Sequence, residues 1–137
     1  MKSVMSYYKI LEKDQTVKPM VVKLIDGERI LIDEAYCSNP TCPCTDVLLR
    51  FYKIDEDNQD MNKLFSFSLD VRTWKISDKK IYNKEIKAKQ IIDEFVDYHL
   101  DDELKNRFGL HWAQSKEYGQ NHYLDYLSKS TIDELES

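Results

Sequence analysis

A chain of 137 residues is long enough to bury a core without disulfide staples. Hydrophobic residues make up 42% and charged residues 33%, a globular balance that excludes extensive disorder. The net charge of −5 argues against general nucleic-acid binding, and apolar runs of at most three residues, as in Val47-Leu48-Leu49, exclude a membrane-spanning helix of about 20 residues.

The first residues, Met1-Lys2-Ser3-Val4-Met5-Ser6-Tyr7-Tyr8, lack the apolar stretch and cleavage motif of a secretory leader, so a soluble, cytoplasmic protein is expected. Met20 to Ile25 and Glu28 to Tyr36 are apolar and β-branched. The Asp26-Gly27 dipeptide between them supplies the positive φ of a hairpin turn. A loop follows over 37–45, Cys37-Ser38-Asn39-Pro40-Thr41-Cys42-Pro43-Cys44-Thr45. Asp46 to Ile54 reads as a strand, and the acidic run Asp55 to Asp60 as a solvated turn. Lys63 to Ile76 alternates, with Phe65, Phe67, Leu69 and Val71 on one side of a single antiparallel strand.

Beyond Ser77-Asp78 the period becomes helical. Ala88, Ile92, Phe95, Val96, His99 and Leu100 share a face. Asp101 is placed to cap a second helix whose first turn carries Asp102 and Glu103, as the helix dipole favours. Leu104, Phe108, His111 or Trp112, and Ser115 continue its inner face. Gly119 is the expected end, and Tyr123, Tyr126 and Leu127 suit a short last helix. Strands first and helices after predict an α+β class: one antiparallel sheet of about four to five strands, with two or three helices packed on one face. Three glycines, three prolines and no repeat or linker predict a single domain over residues 1–137.

The chemistry concentrates in the loop. In a reducing compartment three cysteines within eight positions read as metal ligands or reactive thiols, and their odd number forbids full pairing. Zinc asks for four soft or borderline donors in a tetrahedron, and a turned loop can converge Cys37, Cys42 and Cys44 on one ion. Pro40 and Pro43 stiffen the loop and lower the entropy lost in organising ligands. The fourth ligand is not local. His111, on the inner face of a helix, is favoured over His99, His122 and Asp46. Simple packing of the thiols explains a strand-end Cys37 but not a proline-flanked pair. A Cys42–Cys44 redox pair has one intervening residue rather than the two of the familiar catalytic motif.

The stretch from Tyr36 to Leu49, with its Y-C-x-N-P-x-C-x-C-x-x-V-x-L pattern, resembles an uncharacterised, mostly bacterial domain family often found beside SEC-C zinc-binding motifs. The resemblance implies metal ligation by Cys37, Cys42 and Cys44, and no reaction. It covers about fourteen residues. No cysteine follows Cys44, so roles tied to a SEC-C segment do not transfer.

No H-E-x-x-H, P-loop, GxGxxG or GxSxG motif is present, and all three histidines follow the loop, unlike the H-x-E that precedes P-C-x-x-C in zinc deaminases. Asp33 and Glu34 point to opposite faces of a strand and cannot act as a pair. The expected function is therefore a domain stabilised by structural zinc, serving as an interaction or accessory module. The alternative is a metal-dependent enzyme with an open zinc position. From Arg72 to Lys89 seven basic residues stand against Asp78 and Glu85, a local +5 in an acidic chain. That run is first read as a solvated strand end and outer helix face, and second as a contact surface for an acidic protein or RNA, with Trp74 and Tyr82 available to stack; of the two partners nucleic acid is the less expected.

Overall fold

The computed structural model describes residues 4–7, 20–39, 42–54 and 61–121. Among them β1 (Val4–Ser6), β2 (Met20–Lys23), β3 (Arg29–Cys37), β4 (Asp46–Ile54), β5 (Met61–Asp70) and β6 (Ile76–Ile81) precede α1 (Ala88–Glu94) and α2 (Asp102–Asn121). A π-helical turn, Phe95–His99, joins the two helices. The mixed α+β class follows from that order. His122 and the proposed last helix, like the acidic run 55–60, lie outside the described residues.

Six strands form one antiparallel sheet in the order β1-β3-β4-β5-β6, with β2 also paired to β3. β1 and β2 share one edge of β3 end to end: Ser6 lies opposite Ala35 and Met20 opposite Ile32. Alternation dictates the core. Ile30, Ile32, Tyr36, Val47, Leu49, Phe51, Phe65, Phe67 and Leu69 are all buried and join Ala88, Ile92, Phe95, Leu100 and Phe108 in one cluster. The Phe95 ring stands edge-on to Phe51 at 5.4 Å, which fixes the helical turn over the middle of the sheet.

Several boundaries differ from the sequence expectation. The β2–β3 connection is a longer loop than a two-residue turn: Leu24 N–H donates to Glu28 O and Gly27 N–H to Leu24 O. Gly27 does supply the positive φ, at 92°. The long strand expected over Lys63 to Ile76 is instead two, β5 and β6, because the chain reverses at 71–75. There Asp70 Oδ1 accepts the amides of Arg72 and Thr73, and Trp74 takes a φ of 63°. β6 escapes a periodicity reading because it is an edge strand with almost every side chain in solvent. The inner face of the first helix also shifts. The Leu100 N–H donates five residues back to Phe95 O, and this wider turn buries Leu100 while leaving Val96 38% exposed.

Asp101 caps α2 as expected, its Oδ1 accepting the Leu104 amide at 2.9 Å. Gly119 does not end the helix. It is buried with Phe108 and Ser115 along the inner stripe, and the helix continues past it to Asn121. No helix among the described residues is long and apolar enough to cross a membrane.

Gly109 is a different matter, since a methyl group added there meets nothing within 4 Å and no positive φ is involved. Gly109→Ala is therefore expected to stabilise the protein by about 1 kcal/mol. Urea denaturation at matched protein concentration checks this.

Candidate metal centre

β3 delivers Cys37 and the start of β4 receives the chain after Cys44, so the loop between two paired strands is closed by the sheet itself. Its sulfurs converge: those of Cys37, Cys42 and Cys44 all lie within 4.8 Å of one another, an arrangement that could hold a metal ion. Cys37 is buried, while Cys42 and Cys44 are half-buried. A tetrahedral zinc thiolate site has neighbouring sulfurs roughly 3.8 Å apart, from Zn–S bonds of about 2.3 Å, so the approach needs only a small contraction.

Among the described residues, the carbonyls of Asn39, Cys42, Cys44 and Thr45 all accept hydrogen bonds. Cys42 N–H donates to Asn39 O at 3.1 Å, and Val71 N–H to Thr45 O at 2.8 Å. Trp112 Nε1 donates to Cys44 O at 3.1 Å, which locks α2 onto the loop. Thr45 Oγ1 donates to Asp70 Oδ2, tying the loop exit to the β5–β6 reversal.

The sulfurs are unequal. The Cys44 amide donates to the Cys42 sulfur, a bond that the single intervening residue makes geometrically direct, and it draws the Cys42 thiol below its ordinary range. Thiol hydrogen bonds from Cys44 and Cys37, and the Lys116 charge, act in the same direction. Cys44 is pushed up to about 12, first by burial and then by the thiols of Cys42 and Cys37. The same hydrogen bonds therefore favour the thiolate at Cys42 and disfavour it at Cys44.

A cation does reach the cluster. Lys116 Nζ, from α2, lies 3.3 Å from Cys44 Sγ and also donates to Asn39 O and Cys42 O, at 3.3 and 3.2 Å. Sequence reasoning missed this residue. The only available signal was its position four residues after Trp112, on the same helical stripe.

No histidine or carboxylate joins the sulfur group among the described residues. His111, the favoured fourth ligand, sits in a second cluster. Its Nδ1 meets Glu34 Oε1, and its ring stacks on Tyr7 at 3.7 Å. His99 lies beside Phe95 in the π-helical turn, and Asp46 begins β4. Glu34 is the other residue missed. It is 5% exposed, accepts the Tyr36 hydroxyl at 3.0 Å and is paired with Arg107 at 3.2 Å. Burial, then the Glu34 charge, pushes the Tyr36 phenol far above its usual range, so it stays a donor. Asp33 does face the other way, onto Arg50 at 2.9 Å.

No family model matches the chain, and no curated protein or solved structure is similar to it at a significant level.

His111→Ala leaves the buried Glu34 carboxylate short of a partner and is expected to cost about 3 kcal/mol, measured by chemical denaturation. Asp70 provides a pH signature. The Arg72 amide, then those of Thr73 and the Thr45 hydroxyl, hold its carboxyl below the usual range. A folded pKa below the unfolded one stabilises above the unfolded value of about 4, and that contribution is lost as the pH falls through the folded value. Asp70→Asn is therefore expected to flatten the acid limb of a stability–pH curve without changing its shape above pH ~6.

Proposed function

We propose that Cys37, Cys42 and Cys44 bind one structural zinc ion, and that the protein is a zinc-stabilised accessory or interaction module. The observation that carries this reading is the convergence of three sulfurs within 4.8 Å on a loop braced from both the sheet and α2. Three like-charged thiolates are unfavourable neighbours, and a divalent cation removes that repulsion. Zinc with three thiolates would carry a net −1, which the Lys116 ammonium at 3.3 Å from Cys44 Sγ offsets. Zinc is preferred among soft-ligand metals because it takes thiolate donors in a tetrahedron and serves commonly as a structural ion. The likeness of residues 36–49 to cysteine-loop domains found beside SEC-C motifs supports the same assignment.

A non-catalytic role is favoured because the titratable groups next to the loop are already committed. Glu34 and His111 face each other, and Lys116 faces the loop carbonyls. The alternative, an enzyme with solvent at a fourth zinc position, draws its support from the absence of a fourth donor among the described residues. Zinc-edge X-ray absorption separates the two. A shell of three sulfurs and one nitrogen or oxygen that added azide leaves unchanged supports the module, and replacement of that light atom by azide supports the enzyme. The exposed basic run Arg72 to Lys89 is the surface through which an acidic protein partner would be met.

Because zinc binding free energy is folding free energy, Cys42→Ser and Cys44→Ser are each expected to lose the metal and to lower Tm by more than about 10 °C. Metal content and a thermal melt of the same sample check this. A variant that is metal-free yet melts with the parent contradicts the structural role.

A further inference from the structure

The face of the sheet turned away from Phe95 carries a groove that the metal reading does not use. Strand register builds it. Asp33, Arg50, Ser66 and Lys80 lie directly opposite one another on β3, β4, β5 and β6 in a row across the sheet. Adjacent strands are about 4.8 Å apart, so the Arg50 and Lys80 stems rise roughly 10 Å apart with a small serine between them. That gap opens a groove of about 550 Å³, within the range of small-ligand sites.

Its lining is strongly unbalanced for an acidic chain. Arg50, Lys63, Lys79 and Lys80 contribute four cations against the single carboxylate of Asp78. Asp33 neutralises part of the Arg50 charge from outside the groove. Ser66 and Ser68 form a polar floor, only 4% and 8% exposed, so their hydroxyls sit at the bottom rather than at the rim. Tyr82 forms one wall, with Lys63 Nζ 4.1 Å from its ring centroid. Its phenol responds to this setting: the Ser66 hydrogen bond, with the Lys63 and Lys80 charges, holds it below the usual tyrosine range.

Lysines on an edge strand guard against strand pairing between molecules, and Lys79 and Lys80 serve that purpose on β6. Guarding does not require a guanidinium on an inner strand, nor two buried serines between the cations. A planar fork, two point charges and a hydroxyl converging on one gap are the donor set that a phosphoryl group accepts.

We propose that this groove binds the phosphoryl group of a small phosphorylated ligand, with Arg50, Lys63 and Lys80 around its oxygens above the serine floor. The site is independent of the zinc assignment.

The test is a proton–nitrogen NMR titration of the full chain with inorganic phosphate, glycerol 3-phosphate and adenosine 5′-monophosphate, with adenosine as the uncharged control. Saturable shifts confined to the amides around Ser66, Ser68 and Lys80, weakening with added salt, are expected for the phosphorylated probes and not for adenosine. A monoester that binds more tightly than inorganic phosphate assigns the site to an organic ligand, and equal binding assigns it to free phosphate. Lys80→Ala, at an exposed edge position, is expected to weaken binding about tenfold, while Lys87→Ala, outside the groove, leaves it unchanged. Shifts that never saturate, equal losses in the two variants, or tighter binding of short single-stranded RNA over all of Arg72 to Lys89 would overturn the proposal.

Discussion

Negative charge gathered beneath α2 has to be met by that helix. Two clusters of electronegative groups lie along β3 and its following loop: the buried carboxylate of Glu34 and the sulfurs of Cys37, Cys42 and Cys44. The two flanks of the buried stripe of α2 carry the answering groups. Arg107 and His111 face Glu34, and Lys116 faces the sulfur loop. An uncompensated buried charge costs several kcal/mol, so the helix cannot slide or rotate without exposing one cluster or stranding the other. Trp112 between them donates to Cys44 O and adds an apolar contact to the same lock.

This arrangement makes the cysteine loop part of the fold rather than an appendage. Strands β3 and β4 fix the two ends of the loop, the Asp70 turn fixes its exit, and α2 fixes its carbonyls. A loop so constrained has already lost most of the entropy that ligand convergence would otherwise cost. Lys116 alone supplies a single positive charge to three sulfurs, which leaves the site under-compensated. A divalent ion bound by all three thiolates would complete the compensation and remove the inequality between Cys42 and Cys44.

Much of this was legible in the sequence, for identifiable reasons. β3 and β4 are inner strands whose alternating faces force β-branched and aromatic residues into a readable pattern, and both fall within a residue of their expected bounds. The convergence of the three cysteines and the Asp101 cap were also legible, because both are local in the chain. What escaped was long-range or lacked a buried face. β1 is three residues long and owes its existence to an edge that β3 offers. β6 is solvated almost throughout, so no alternation marks it. The Glu34–His111 and Cys44–Lys116 contacts span more than seventy residues each, and no spacing rule reaches that far. The phosphoryl groove likewise depends on register across four strands, which only the folded sheet displays.

How much metal the intact protein carries tests the structural role of the cysteine loop most directly. Native mass spectrometry of freshly purified protein, compared with the same sample under denaturing conditions, reads this in one step. One zinc per chain, lost on denaturation together with the uptake of protons by the thiolates, is the expected result. A folded chain whose native mass equals its denatured mass, with all three thiols free to alkylate, would contradict it.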